Sequence, residues 1–181
     1  PMPQHGFVRQ GIFRIVSIDE YGFSAEFDPC EEARHCYPYD YGLLIVYRFA
    51  DLHIQVSLVL ENNGSQPIPW SPGYHFYFQL PWRRNLTRDD FFLNIPAKKN
   101  FAYETNGHLR KLDSPSGQVR FSEPSLINCI HTGLKEPEAV FGTANGEENV
   151  AIRIEEAGGT GETRSFVTWT ENDNSPFYCV E

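Results

Sequence analysis

The run His53 to Leu60 alternates strictly, with Ile54, Val56, Leu58 and Leu60 on one side and Gln55 and Ser57 on the other. A period of two marks an extended chain with one apolar face, because successive Cβ atoms of a strand point to opposite sides of a sheet. No window of the chain sustains apolar residues at i, i+3, i+4 and i+7, the helical counterpart. Short apolar runs are instead punctuated by 13 prolines and 14 glycines, and 14% of the residues are aromatic. An all-β, antiparallel chain with few and short helices follows.

The same reading divides the chain into elements. Gly11 to Ile18 and Tyr21 to Phe27 flank Asp19-Glu20 as a hairpin. Asp28 to Tyr41 is a connection in which Glu31-Glu32-Ala33-Arg34 makes one helical turn. Leu43 to Phe49 pairs with His53 to Leu60 in the clearest hairpin. Asn62-Asn63-Gly64-Ser65 supplies residues tolerant of positive φ, so the spacing predicts that His53 to Leu60 and a strand at Gly73 to Leu80 are antiparallel neighbours. Further strands are expected at Phe91 to Pro96, Gln118 to Phe121 and Val150 to Ile154, and as a pair at Phe166 to Thr170 and Phe177 to Glu181. Glu104 to Gly117, with turns at Asn106-Gly107 and Ser114 to Gly117, is a turn-rich excursion. The glycine-rich Glu155 to Arg164 lacks the Gly-Lys-Ser/Thr ending of a phosphate loop and reads as a hairpin tip.

Length and charge bound what such a chain can do. One domain, residues 1–181, is the expectation for 181 residues with no internal division. The 15 Lys and Arg against 24 Asp and Glu give 15 − 24 = −9, a charge that disfavours nucleic acid and anionic lipid as partners. No apolar run approaches the roughly 20 residues that cross a bilayer, and the N-terminal residues lack a signal-peptide layout. The expected location is the cytoplasm. Cys30, Cys36, Cys129 and Cys179 show no C-x-x-C spacing, which argues for free thiols and against a zinc or redox pair. The chain opens on Pro1 to Phe7 with no preceding strand and stops directly after Phe177 to Val180, so it is expected to be part of a longer fold.

Candidate chemistry centres on Pro69 to Pro81. In its strand, His75, Tyr77 and Gln79 share one face and Phe76, Phe78 and Leu80 the other. The plainer reading of His75 is hydrogen-bonded packing; the functional one is an acid or base on a rigid mount. Arg83, Arg84 and Arg88 form either a solvated loop or a binding site for an anionic group such as a sugar phosphate. Asn128 and His131 stand among apolar residues and need partners or a role. Glu181 shares a face with Phe177 and Cys179, and either ends its strand in water or presents a carboxylate at a pocket mouth.

Three motifs, in this order, resemble the galactose mutarotase (aldose 1-epimerase) family. They are Gln4-His5-Gly6-Phe7-Val8-Arg9, Pro72-Gly73-Tyr74-His75-Phe76-Tyr77-Phe78, and Trp169 followed by Phe177-Tyr178-Cys179-Val180-Glu181. Tyr37-Pro38-Tyr39 and Glu61-Asn62-Asn63-Gly64 stand in the family's usual relative places. The resemblance implies an antiparallel β-supersandwich of the galactose mutarotase type, here lacking its N-terminal strands. It implies interconversion of the α and β anomers of an aldohexose, with Glu181 as base, His75 as acid, and no metal or organic cofactor. His5, Arg9 and Trp169 are then substrate-binding. Asn128 stands where the family commonly has an Asp that binds sugar hydroxyls, and a neutral amide can still hydrogen-bond a hydroxyl. A mutarotase for phosphorylated hexoses and a non-catalytic, sugar-binding β-sandwich remain as alternatives, since Tyr77 and Trp169 would stack on pyranose rings in either.

Overall fold

Short turns bring the first alternating runs against their sequence neighbours. In the computed structural model of the protein, which describes residues 5–104, 107–113, 118–123, 127–157 and 164–181, strands β1 (Ile12–Asp19), β2 (Gly22–Asp28), β3 (Tyr41–Ala50) and β4 (His53–Asn62) form one antiparallel sheet in that order. Both expected hairpins are present. Gly22 lies opposite Arg48, where a Cβ would fall 2.0 Å from the Tyr47 carbonyl oxygen, so a side chain there would force the strands apart. The helical turn expected at Glu31 is helix α1 (Glu31–Cys36). Its Ala33 packs with Phe27 and Leu43, and Phe7, Val8, Phe13, Tyr41 and Leu60 cover that cluster. After β4 the Tyr37 hydroxyl donates a 2.6 Å hydrogen bond to the Pro69 carbonyl. This first compact unit ends at Pro72.

The alternation of β4 locates the strand better than its burial. Val56, Leu58 and Leu60 are half-buried and Ile54 is 58% exposed.

A second unit, Gly73–Glu181, holds two further antiparallel sheets. One has six strands in the order β5 (Tyr77–Gln79), β14 (Phe177–Val180), β13 (Ser165–Trp169), β10 (Cys129–Leu134), β7 (Ala97–Tyr103) and β8 (Leu109–Leu112). The other has four, β12 (Asn149–Arg153), β11 (Glu138–Thr143), β6 (Phe91–Asn94) and β9 (Val119–Arg120). Between them lies a core of Leu80, Phe91, Leu93, Phe121, Ala139, Phe141, Phe166, Tyr178 and Val180. Its rings meet edge-on or tilted, as their quadrupoles favour: Phe78 and Phe121 lie 4.6 and 5.7 Å from Phe141, and Tyr178 4.2 Å from Phe121.

One expected pairing is overturned. The strand carrying His75 does not neighbour β4, which pairs with β3 at the edge of its own sheet; β5 pairs with β14 instead. Pro67, Pro69 and Pro72 have no N–H to give a ladder beside β4, and the chain leaves that sheet. The regular strand is also shorter than Gly73 to Leu80: it spans Tyr77–Gln79, and its ladder partner β14 is four residues long.

The fold is all-β and antiparallel, and all four cysteines are free. Among the described residues no helix is long and apolar enough to cross a membrane. The turns expected at Asn106 and at Ser114 to Gly117, and most of the tip Glu155 to Arg164, lie outside the described residues, as do Gln4, Ser125 and Leu126.

Candidate active site

The register of β5 against β14 builds the site. Tyr77 faces Cys179 and Phe78 faces Tyr178, so the same antiparallel count places His75 opposite Glu181. Side chains then divide by strand parity. Tyr178 and Val180 enter the core, while Phe177, Cys179 and Glu181 turn to the other face with His75 and Tyr77. Glu181 is held in the ladder at both ends of its peptide: its N–H donates to the Val167 carbonyl (2.9 Å) and its carbonyl accepts from the Val167 N–H (2.7 Å). Its carboxylate is therefore mounted on sheet backbone.

On that face His75 Nε2 lies 3.0 Å from Glu181 Oε1, with the two side chains 26% and 18% exposed. Aromatic rings wall the pair. Tyr77 stacks on the imidazole at 4.7 Å and Trp169 meets it edge-on at 5.9 Å. Phe177 closes the corner, 5.2 Å from Tyr77 and 5.7 Å from Trp169. Cys179, buried between Tyr77 and Trp169 in the ladder, is a small floor beneath them. Burial disfavours charge on two side chains of this face, in and just after β14: the Glu181 carboxyl is pushed up to about 7 and the Cys179 thiol up to about 12. This face thus carries a carboxyl raised towards neutrality in contact with an imidazole.

Behind the site runs a buried polar chain. His131 Nδ1 is 2.8 Å from Asn100 Oδ1, and Nε2 is 3.0 Å from Thr168 Oγ1. Thr168 also bonds the Tyr178 hydroxyl. Burial lowers the His131 pKa to about 4, so the imidazole is neutral at ordinary pH, donating from Nδ1 to the amide oxygen and accepting the Thr168 hydroxyl at Nε2. The polar partner that His131 needs is thus internal packing. Thr168 and Tyr178, which continue this polar chain, immediately precede Trp169 and Cys179 in their strands.

Arg88 has a similar supporting role. Its Nη2 lies 2.6 Å from the Ser175 carbonyl, 3.1 Å from Thr170 Oγ1 and 3.2 Å from the Phe177 carbonyl, binding the connection between β13 and β14. Arg83 pairs with Glu148 at 2.6 Å. Arg88→Met leaves those carbonyls without a charged donor, and is expected to lower stability by about 1–3 kcal/mol. A thermal unfolding midpoint equal to that of the parent would remove this role.

Of the residues singled out in the sequence, His75, Glu181 and Trp169 meet here. Asn128 continues the Trp169 row one strand further: Cys129 pairs with Thr168, and the Asn128 carbonyl accepts from the Tyr103 N–H (3.0 Å). Its own amide donates to the Tyr103 carbonyl (3.1 Å), and its φ is 55°. His5 and Arg9 belong to the first unit, where both are exposed and His5 has a φ of 63°. Tyr77 and Phe177 complete the corner, and their signal in the sequence was the i, i+2 spacing from His75 and from Cys179 and Glu181. Among the described residues no cluster of three or more His, Cys, Asp or Glu has the arrangement of a metal site.

A family model described as aldose 1-epimerase matches residues 1–128. The chain belongs to the aldose 1-epimerase family. The matched stretch contains His5, Arg9, His75 and Asn128, whereas Trp169 and Glu181 lie beyond it. Three crystal structures share the fold. The Slr1438 protein from Synechocystis sp. PCC 6803 superposes with a TM-score of 0.78 at 20% identity, over 99% of this chain and 57% of its own. A galactose mutarotase related enzyme from Lactobacillus acidophilus gives 0.77 at 15%, over 99% and 61%. A galactose mutarotase-like protein from Lactobacillus casei gives 0.76 at 19%, over 99% and 63%. This aldose 1-epimerase family chain therefore spans about three fifths of the length of those structures, and its fold is of the galactose mutarotase type. A comparison with curated protein sequences finds no match.

Proposed function

We propose that this chain carries the acid–base pair of an aldose 1-epimerase, a cofactor-independent isomerase that interconverts the α and β anomers of a free aldohexose. The observation that carries the reading is the 3.0 Å approach of His75 Nε2 to Glu181 Oε1 within an aromatic corner. Ring opening removes the proton of the C1 hydroxyl and adds one to the ring oxygen. Both oxygens are bonded to C1, so the base and the acid that act on them must themselves be close neighbours. The Glu181 carboxylate takes the hydroxyl proton as His75, protonated, gives one to the ring oxygen. The C1 carbonyl of the open aldehyde turns about the C1–C2 bond. The protons then retrace their paths on the other face of the carbonyl, and the pair ends as it began. Trp169 and Tyr77 offer ring faces to the C–H side of a pyranose.

A free sugar is favoured over a phosphorylated one because Arg83 is paired with Glu148 and Arg88 is spent on backbone carbonyls. His5 and Arg9 are proposed as sugar-binding residues on their match to the family motif alone. The negative charge of the chain and its family support a small sugar, not a polyanion, as ligand.

The test is polarimetry of freshly dissolved α-D-glucose, α-D-galactose and glucose 6-phosphate, with and without the protein. Acceleration of the free sugars is the expected result; acceleration of the phosphate ester alone would transfer the reading to the phosphorylated branch, and sugar binding without acceleration to a non-catalytic module. The pH dependence adds a second check. Below about 7 Glu181 holds a proton and cannot act as base, so the acid limb of kcat/KM is expected to rise through one ionisation near that pH. A limb in the range of an ordinary solvated carboxylate would show that another group is the base.

A further inference from the structure

The aromatic corner does not end at Trp169. Tyr77, Cys179 and Trp169 stand in one row across β5, β14 and β13. Asn128, just before β10, carries the row on, since Cys129 pairs with both Thr168 and Ala102. Tyr103 on β7 follows, tied to Asn128 by two hydrogen bonds, and Leu109 on β8 faces Tyr103. The buried residues Cys129 and Thr168 occupy the opposite face with the neighbouring Ala102, which leaves Trp169, Tyr103 and Leu109 on the face of the site. Tyr77, Tyr103 and Leu109 are 56%, 51% and 52% exposed. The row is thus an open strip of ring and methyl faces crossing the sheet.

Spacing gives the strip a use. Tyr77 and Trp169 lean together over Cys179, with centroids 6.4 Å apart, and make one platform beside His75 and Glu181. Trp169 and Tyr103 are separated by two strand spacings, about 10 Å, more than a single pyranose covers. Between them lies a neutral amide whose orientation is set by Tyr103. No row member after the acid–base pair is charged, and neutral rings with an amide are the surface chemistry that matches the alternating C–H faces and hydroxyls of a sugar.

We infer that Tyr103 and Leu109, beyond Asn128, form a subsite for the second sugar residue of a saccharide whose reducing end lies at His75 and Glu181. The inference rests on the mutarotase reading for the direction of the chain: only the reducing-end ring has a free anomeric hydroxyl, so the remaining residues must extend away from the acid–base pair, and the strip is the continuous apolar surface that leads away from it. The subsite itself is a matter of binding and is tested without turnover.

Calorimetric titration with methyl β-glucoside, methyl β-cellobioside and methyl β-maltoside, which cannot mutarotate, measures it. Either methyl disaccharide is expected to bind at least roughly fivefold tighter than the methyl monosaccharide, the gain of one stacked ring. That preference is expected to vanish in Tyr103→Ala and to weaken in Leu109→Ser, two exposed positions whose truncation opens no core cavity. Equal affinities in the parent protein, or a preference that survives Tyr103→Ala, would overturn the subsite. Anomer exchange of glucose, cellobiose and maltose, followed by magnetisation-transfer NMR, separates the two ideas: no accelerated exchange with an intact disaccharide preference removes the mutarotase reading and leaves the subsite standing. Accelerated glucose exchange with no disaccharide preference does the reverse.

Discussion

Glu181→Gln is expected to slow anomer interconversion by about 10²–10⁴-fold, the range that one general acid or base supplies, while leaving the fold in place. The substitution keeps the size and planar shape of the side chain. A glutamine carbonyl can still accept from His75 Nε2, so the contact seen at 3.0 Å has an isosteric replacement. What it loses is the ability to take a proton. Because burial is what pushes the Glu181 carboxyl up to about 7, exchanging it for a neutral amide relieves desolvation and should not lower the unfolding midpoint. The two readouts together isolate the role: loss of turnover at an unchanged midpoint marks a base, loss of both marks a structural group, and full activity would exclude Glu181 from the chemistry. The pH limb near 7 should disappear from any residual activity, since the titrating group is gone.

The strand carrying His75 shows how much of this was legible. Phe76, Phe78 and Leu80 alternate with His75, Tyr77 and Gln79, so the face of each was readable from parity alone. The pairing was not. Nearest sequence neighbours are the default partners of a strand, and that default pointed to β4; the true partner, β14, lies nearly a hundred residues further on. Nothing local in either strand encodes so distant a register, and the match of His75 to Glu181 came from the family motifs, not from periodicity.

Strands β10 and β11 were missed for physical reasons of their own. In β10 a histidine points into the interior, where alternation leads one to expect an apolar residue, and only the partners Asn100 and Thr168 make it tolerable there. In β11 both faces are covered at Ala139, Phe141, Gly142 and Thr143, which erases the alternation. Gly142 is a strand residue with a close neighbour: a Cβ there would lie 2.3 Å from the Glu148 carbonyl oxygen. Arg88 was noticed only as one of three clustered cations. Its contacts are to the Thr170 hydroxyl and to two backbone carbonyls, 82 to 89 residues away, and a residue type carries no trace of such partners.

Phe141→Ala is expected to be the most destabilising single truncation in the second unit, at about 3–5 kcal/mol. The ring is fully buried and meets Phe78, Trp82 and Phe121 at 4.6, 5.6 and 5.7 Å. These neighbours come from the other sheet, from the loop after β5 and from the end of β9, so no single element can slide in to refill the space. The cavity term therefore adds to the lost transfer energy. Thermal unfolding measures the loss, and a change below about 1 kcal/mol would mean that the core collapses around the gap. The effect on function should differ in kind from that of Glu181→Gln. Phe78, which abuts Phe141, is the residue after Tyr77 on the strand leading from His75, while Tyr178 and Val180 of β14 enter the same core with their backs to Cys179 and Glu181. Well below its midpoint, Phe141→Ala should keep the pH limb near 7 and most of its turnover, because His75 and Glu181 themselves are unchanged. Approaching the midpoint, activity should fall in step with the folded fraction. A variant that loses turnover while still folded would show instead that the spacing of His75 and Glu181 depends on this ring, and that core packing and catalytic geometry are one property here.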